Sequence, residues 1–157
     1  MKLNHLERRQ VLNRPVDEVF EFFANAASLE QLTPPFLNFK ILTPLPIDMF
    51  EGARIQYALS LFGVPMRWTT RITQWEPGTG FTDEQEAGPY AVWRHTHEFE
   101  PMGEQTIMKD KVVYKVPLGP FGEVARVLFV RRTLERIFEY RHNAIERLLG
   151  PPSTEVN

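Results

Sequence analysis

Residues 92–116 read VWRHTHEFEPMGEQTIMKDKVVYKV, and their alternation decides the fold class. Trp93, His95, His97 and Phe99 share one parity, while Arg94, Thr96, Glu98 and Glu100 share the other. The two aromatic rings mark the first set as inward, because side chains alternate across a strand with a period of two. In the second run Met108 and Val112 point inward and Lys109, Lys111 and Lys115 face water. That parity carries Thr106, Asp110 and Tyr114 to the inner face as well. Two antiparallel strands joined by a tight turn are the expectation.

The same alternation extends upstream through Ala53, Ile55, Tyr57, Leu59 and Leu61, then through Met66, Trp68, Thr70 and Ile72 after a turn at Phe62-Gly63-Val64-Pro65. Another strand is predicted over Phe81–Ala87. Pro65, Pro77, Pro89, Pro101 and Pro117 fall between these runs, as in an antiparallel meander whose strand centres exclude proline. Lys2–Leu12 and Asn38–Thr43 read as the first and second strands. Between them Pro15 with Val16, Val19, Phe20 and Phe23 marks a short helix, and the capping-box pair Ser28 and Gln31 marks another, ended by Thr33-Pro34-Pro35. After Pro117-Leu118-Gly119-Pro120, the stripe Phe121, Val124, Ala125, Leu128, Phe138, Ile145 and Leu149 predicts one long helix from near Pro120 to near Leu149. Its arginines interleave with Glu135, Glu139 and Glu146 as a solvated face, with Tyr140 and Arg141 the two placed to turn inward. The predicted class is α+β: a seven-stranded curved antiparallel sheet with two short helices and a long helix laid across it. One domain is expected over residues 1–149, with a flexible tail over 150–157.

Composition narrows the function. Hydrophobic residues make up 43% of the 157, which suits one domain with a sizeable core. Eighteen Lys and Arg stand against 20 Asp and Glu, so a generally basic nucleic-acid binder is excluded. With no cysteine, zinc fingers, iron–sulfur clusters and thiol nucleophiles are excluded too. No stretch approaches the ~20 apolar residues of a membrane span or a signal peptide's apolar core, and a cytoplasmic protein is expected.

The inner faces carry residues that a plain core would not choose. A two-residue loop at Met102-Gly103 sets His95 opposite Asp110 and His97 opposite Met108, beside Phe81. Turns near Gly88-Pro89-Tyr90 and Pro77-Gly78-Thr79-Gly80 set His95 opposite Asp83, Trp93 opposite Gln85, and Gln74 opposite Asp83. The expectation is a polar row across four strands: Gln74, Asp83, His95 and Asp110. An imidazole between two carboxylates is expected to be held as imidazolium, so His95 should titrate above an ordinary histidine unless desolvation outweighs the anions. The row reads as a register-fixing network, a ligand-recognition network or an acid–base site. His95 and His97 form one H-x-H pair with no third inward His or Glu, too little for a metal site, and no metal or cofactor is expected.

The pattern Asp83-x-Gln85-x-x-Gly88-Pro89-Tyr90-x-x-Trp93-x-His95-x-His97-x-Phe99, with Asp110-x-x-x-Tyr114-x-x-Pro117-Leu118-Gly119 and Phe138-x-Tyr140-Arg141, resembles a ligand-binding branch of the START, polyketide-cyclase and birch-pollen-allergen superfamily, SRPBCC. The resemblance covers essentially the whole chain. It implies a helix-grip fold, in which the sheet wraps the C-terminal helix around a deep hydrophobic cavity. Relatives bind lipids, sterols or plant hormones, some cyclise or hydrate polyketides, and related domains occur beside sugar-nucleotide-epimerase-like domains. It carries over no catalytic residue. The expected function is binding or transport of a hydrophobic or amphipathic small molecule, without nucleic acid or stable membrane insertion. Tyr57, Trp68, Phe81, Trp93, Phe99, Tyr114, Phe121 and Leu128 are the expected walls, and Gln74, Asp83, Gln85, His95 and Asp110 the polar contacts. The alternative is a cyclase, dehydratase or hydrolase in which His95 acts as acid or base, tuned by Asp83 and Asp110.

Overall fold

Seven strands form one antiparallel sheet in the order β1-β7-β6-β5-β4-β3-β2. The computed structural model describes residues 3–150. The strands are β1 (Asn4–Leu12), β2 (Lys40–Ile41), β3 (Arg54–Leu61), β4 (Val64–Glu76), β5 (Gly80–Ala87), β6 (Val92–Met102) and β7 (Gln105–Lys115). Two short helices, α1 (Val16–Ala24) and α2 (Ser28–Leu32), follow β1. After β7 comes one long helix, made of α3 (Gly119–Ala125), a π-turn (Arg126–Val130) and α4 (Arg131–Leu149). This is the α+β helix-grip architecture. Lys2 and residues 151–157 of the predicted tail lie outside the described residues.

Proline starts α1: Pro15 sits at its N-cap, and Val19, Phe20 and Phe23 fall on the buried face. The Phe20 ring meets Trp75, Phe81 and Phe99 at 5.3, 6.2 and 5.6 Å between centroids, closing one end of the sheet–helix space. Leu134, Phe138, Arg141, Ala144, Ile145 and Leu149 form the buried stripe of α4. Gln10 of β1 fastens α4 from outside, donating its amide to the His142 carbonyl and the Glu146 carboxylate.

Three expectations change. β2 is only two residues long, because Asn38 adopts a left-handed φ of 48° and ends the preceding turn before any strand begins. The capping box is not formed: Ser28 is already helical, and Asn25 Oδ1 accepts the Ala27 N–H instead. The stripe predicted for the start of the long helix is out of phase. Ten residues separate Leu128 from Phe138, which turns them about 80° apart on a 3.6-residue helix. The buried face instead runs back from Leu134 towards Val130, Arg126 and Gly122, leaving Phe121 83% and Leu128 59% exposed.

Gly122 anchors this first turn, since a Cβ there would meet the Pro117 carbonyl oxygen. Alanine is the better helix former by ~1 kcal/mol, yet Gly122→Ala is expected to lower stability by about 1–3 kcal/mol through that clash. Urea unfolding measures it; an unchanged or raised midpoint would mean that the joint yields freely.

Candidate functional site

β5, β6 and β7 carry the polar residues inward, and α4 closes over them. Asp83 lies opposite His95 as expected, and Phe81 lies opposite His97. Across β6 and β7 the register differs from the sequence reading by two residues. The loop is Gly103-Glu104, with Gly103 at a φ of 61°, so Met102 pairs with Gln105, His97 with Asp110 and His95 with Val112. A shift of two preserves the face, and His95 Nε2 still reaches Asp110 Oδ1 diagonally at 2.8 Å.

Asp110 is the hub. Arg141 donates from Nε to Oδ2 at 2.9 Å and from Nη2 to Oδ1 at 3.2 Å, a two-pronged geometry suited to guanidinium and carboxylate. His97 Nε2 bonds Asp83 Oδ2 at 2.8 Å, and its Nδ1 lies 3.5 Å from Asp110 Oδ1. Thr70 Oγ1 donates to Asp83 Oδ1 at 3.3 Å. The imidazoles stack on one another at 3.8 Å, and His97 stacks on Phe81 at 4.1 Å. His95 Nδ1 has no hydrogen-bond partner among the described residues.

The protonation pattern follows from these contacts. Burial would raise the Asp110 carboxyl, but Arg141 and the two histidines hold it well below the usual carboxylate range. Burial opposes charge on Asp83 as well, and the hydrogen bond from His97, helped by the nearby cationic groups, lowers it all the same. Burial opposes charge on His97, yet Asp110 and Asp83 outweigh it and raise that histidine. Burial, joined by the charge of His97, lowers His95 against the pull of Asp110. Of the two histidines it is therefore His97, which touches both carboxylates, that is raised, while His95 is lowered. The His97 Nδ1 accepts from Arg141 Nη2 at 3.4 Å when unprotonated and faces Asp110 Oδ1 at 3.5 Å when protonated. Neutral His95 donates from Nε2 to Asp110 and leaves a lone pair on Nδ1.

A cavity of about 170 Å³ lies above this network, between sheet and α4. Of the predicted contacts, Tyr57, Trp68, Phe81, Asp83, Trp93 and His95 line it. The others do not. A bulge between Ile72 and Gln74 sets Ile72 opposite Asp83 and turns Gln74 to the exposed face, beside Thr82. Gln85 clamps the β5–β6 turn, donating to the Tyr90 carbonyl at 2.8 Å and accepting the Tyr90 N–H at 3.0 Å. Phe99 is consumed by packing against Phe20 and Phe23, and Tyr114 by a cluster with Val112, Leu134 and Phe138. Asp110 sits behind His95, while Phe121 and Leu128 face outward. The sequence reading passed over Thr70, Tyr90, Leu134 and Phe138, which line the cavity, and took His97 for a core histidine. Trp68 Nε1–H is buried without a hydrogen-bond partner among the described residues; its ring stands edge-on to Trp93 at 5.3 Å and 88°.

Asp83, His95 and His97 offer ligand atoms within 4.8 Å of one another, a spacing open to a metal ion. The donors are already committed, however. Asp83 and His97 hold each other at 2.8 Å, and the Arg141 guanidinium stands 3.4 Å from His97. A cation entering here would have to expel the His97 proton and sit beside a fixed positive charge.

A family model described as polyketide cyclase/dehydrase and lipid transport matches residues 12–139. Among solved structures, the Zhui aromatase/cyclase of Streptomyces sp. R1128 superposes with a TM-score of 0.73 at 16% identity, covering 92% of each chain. A protein of Thermus thermophilus gives 0.68 at 19% identity, over 92% of this chain and 95% of that one. A nucleoside-diphosphate sugar epimerase of Corynebacterium glutamicum gives 0.66 at 22% identity, over 90% of this chain but 28% of that one. These identities establish the shared fold. No curated protein matches the chain by sequence.

The network makes two measurable demands. In histidine NMR titrations His97 should titrate above the usual 6.5 and His95 below it. The stability that His97 contributes is then full below 6.5 and fades as pH rises through its folded value, whereas that of His95 is full above 6.5 and fades on acidification. Finding His95 as the raised histidine would invert the assignment. Asp110→Asn leaves Arg141 buried without its anion, which is expected to cost about 3–5 kcal/mol by urea unfolding.

Proposed function

The chain belongs to the polyketide cyclase/dehydrase and lipid transport family, within the SRPBCC superfamily, and we propose that it binds one small, largely apolar molecule between the sheet and α4. The observation that carries this reading is His95, which lines a mostly apolar cavity and whose Nδ1 makes no hydrogen bond among the described residues. A molecule with a hydroxyl or similar donor satisfies that lone pair, while its hydrocarbon part meets Tyr57, Trp68 and Trp93. The network below it is internally balanced: Asp83 and Asp110 are offset by Arg141 and the His97 imidazolium. An uncharged ligand therefore fits it best. Size narrows the choice further. The cavity, at about 170 Å³, is comparable with apolar cavities of roughly 150 Å³ that hold a benzene-sized ring. That favours a single ring or a short chain over a fused multi-ring molecule.

A second reading rests on the His95–Asp110 pair. A neutral imidazole with one nitrogen fixed by a carboxylate and the other open to the cavity is arranged to accept a proton, as the base of a cyclase, dehydratase or hydrolase would. Its rate would rise with pH through the lowered value of His95. A cytoplasmic setting without a nucleic-acid partner belongs to the same proposal. No described helix is long and apolar enough to cross a membrane.

Native mass spectrometry of protein from its own host tests the binding reading directly, by weighing any co-purified molecule. A defined probe tests His95. Titration of 4-ethylphenol, followed by tryptophan fluorescence, should saturate, with ethylbenzene about tenfold weaker for want of one hydrogen bond. In His95→Phe that difference should vanish. No saturable binding of either compound would overturn the reading.

A further inference from the structure

Three residues that the helical stripe placed inside, Phe121, Val124 and Leu128, are among the most exposed apolar groups of the described residues. Leu118, Phe121, Val124, Leu128 and Phe129 on the first half of the long helix are 57–83% exposed, and Phe62 on the β3–β4 turn is 63% exposed. Exposed apolar side chains scattered singly are ordinary, but a contiguous group marks a contact surface. Phe121, Val124 and Leu128 recur at helical spacing on one face, and the Phe62 and Phe129 rings lie 6.3 Å apart, in edge contact. Two of them are also held in the left-handed region, Phe62 at a φ of 52° and Leu118 at 76°. Bulky residues rarely adopt that conformation, and turns of this kind ordinarily take Asn or Gly. Burial in the fold does not account for the choice, because both side chains stand in solvent.

Charge identifies what covers the patch. The segment Leu118–Arg132 holds Arg126, Arg131 and Arg132 against Glu123 alone, in a chain of net charge -2. Arg126 is paired to Glu123 and Arg131 to Glu135, while Arg132 is exposed with no ion pair among the described residues. The Arg131–Glu135 pair is exposed, and pairs of that kind are weak and yield to a stronger anion. An apolar tip rimmed by arginine matches the boundary between the acyl chains and the headgroups of an anionic bilayer. A second copy of the chain fits less well, since a two-fold contact through this patch would set the same arginines against each other.

We propose that this end of the molecule docks on an anionic phospholipid surface, with Phe62, Leu118, Phe121 and Phe129 entering the headgroup boundary and Arg131 and Arg132 facing phosphates. The patch adjoins the cavity: Leu61, next to Phe62, and Leu134, packed with Val130, both line it. A ligand drawn from the bilayer would then reach His95 without crossing water. That last step rests on the ligand-binding reading; the docking does not.

Sedimentation with phosphatidylcholine vesicles, with and without phosphatidylglycerol, tests it. The protein should bind the vesicles containing phosphatidylglycerol, less so as salt rises. A Phe121→Glu/Phe129→Glu variant should bind about tenfold more weakly or worse, with an unchanged circular-dichroism melt and unchanged 4-ethylphenol titration. Arg131→Gln/Arg132→Gln, which leaves the apolar tip intact, should lose the preference for phosphatidylglycerol. Absence of binding to the anionic vesicles would overturn the proposal. So would a concentration-dependent dimer in analytical ultracentrifugation that Phe121→Glu abolishes, since the second copy would then be the partner.

Discussion

A carboxylate buried under a helix is costly unless every oxygen is met, and Asp110 is met from three directions. Arg141 reaches it from α4, and His95 and His97 reach it from β6. Removing a carboxylate and a guanidinium from water costs several kcal/mol for each ion, which only close, well-directed contacts can offset. The contact therefore acts as a geometric condition. Arg141 shares its helical face with Leu134, Phe138 and Ile145, so the rotation that pairs it with Asp110 also buries those three. A helix turned by one residue would lose the apolar contact and strand both charges together. Packing and electrostatics select the same docking of helix on sheet, which is the agreement between levels that gives a chain one structure.

The same contact sets the chemistry. Two carboxylates and one guanidinium leave one negative charge to be balanced, and a single proton shared between adjacent histidines balances it. Stacked imidazoles 3.8 Å apart cannot both hold a proton cheaply, so they separate into one that is raised and one that is lowered. His97, between Asp83 and Asp110, keeps the charge. His95, with one carboxylate and a cationic neighbour, stays neutral. An arrangement of near-identical side chains thereby becomes asymmetric, with a charge-holding histidine in the network and a lone pair turned to the cavity. A fully satisfied structural network would leave no such lone pair.

Side-chain parity was legible in the sequence and register was not. Parity follows from which residues tolerate water, and Trp93, Phe99, Met108 and three lysines settle it for β6 and β7. Register depends on where a turn closes, and Met102-Gly103 and Gly103-Glu104 are both workable two-residue loops. The error between them was two residues, which keeps every side chain on its face, so Asp83, His95 and Asp110 still came together. A bulge inserts one residue and flips the face; the one between Ile72 and Gln74 removed Gln74 from the row. Nothing in the pattern of β4 announces it. Gln85 was lost for another reason, since the turn at Gly88-Pro89-Tyr90 has backbone groups that need a partner and the Gln85 amide supplies it. On the long helix the inward turn of Arg141 was readable. The outward turn of Phe121 and Leu128 was readable too, because regular helical spacing already sets them about 80–100° away from Phe138; the stripe joined two faces that do not align.

Strand direction orders the cavity from one end to the other. Phe62-Gly63, the β5–β6 turn and the start of the long helix lie at one end, and Phe20, Phe23 and Phe99 seal the other. Moving from the first of these ends along β4 and β6, Trp68 and Trp93 come first, Thr70 and His95 next, and Ile72, His97 and Phe99 last. The apolar rim is therefore outermost and the hydrogen-bonding floor is inside. A small amphiphile arriving from water would tend to keep its polar group in solvent and present its hydrocarbon first, which is the wrong orientation for this cavity. An amphiphile leaving a bilayer has the opposite bias, because its polar group already points out of the membrane and leads the way. For a ligand entering at the end that carries the apolar patch, the order of residues along the two strands favours the polar group travelling ahead to His95.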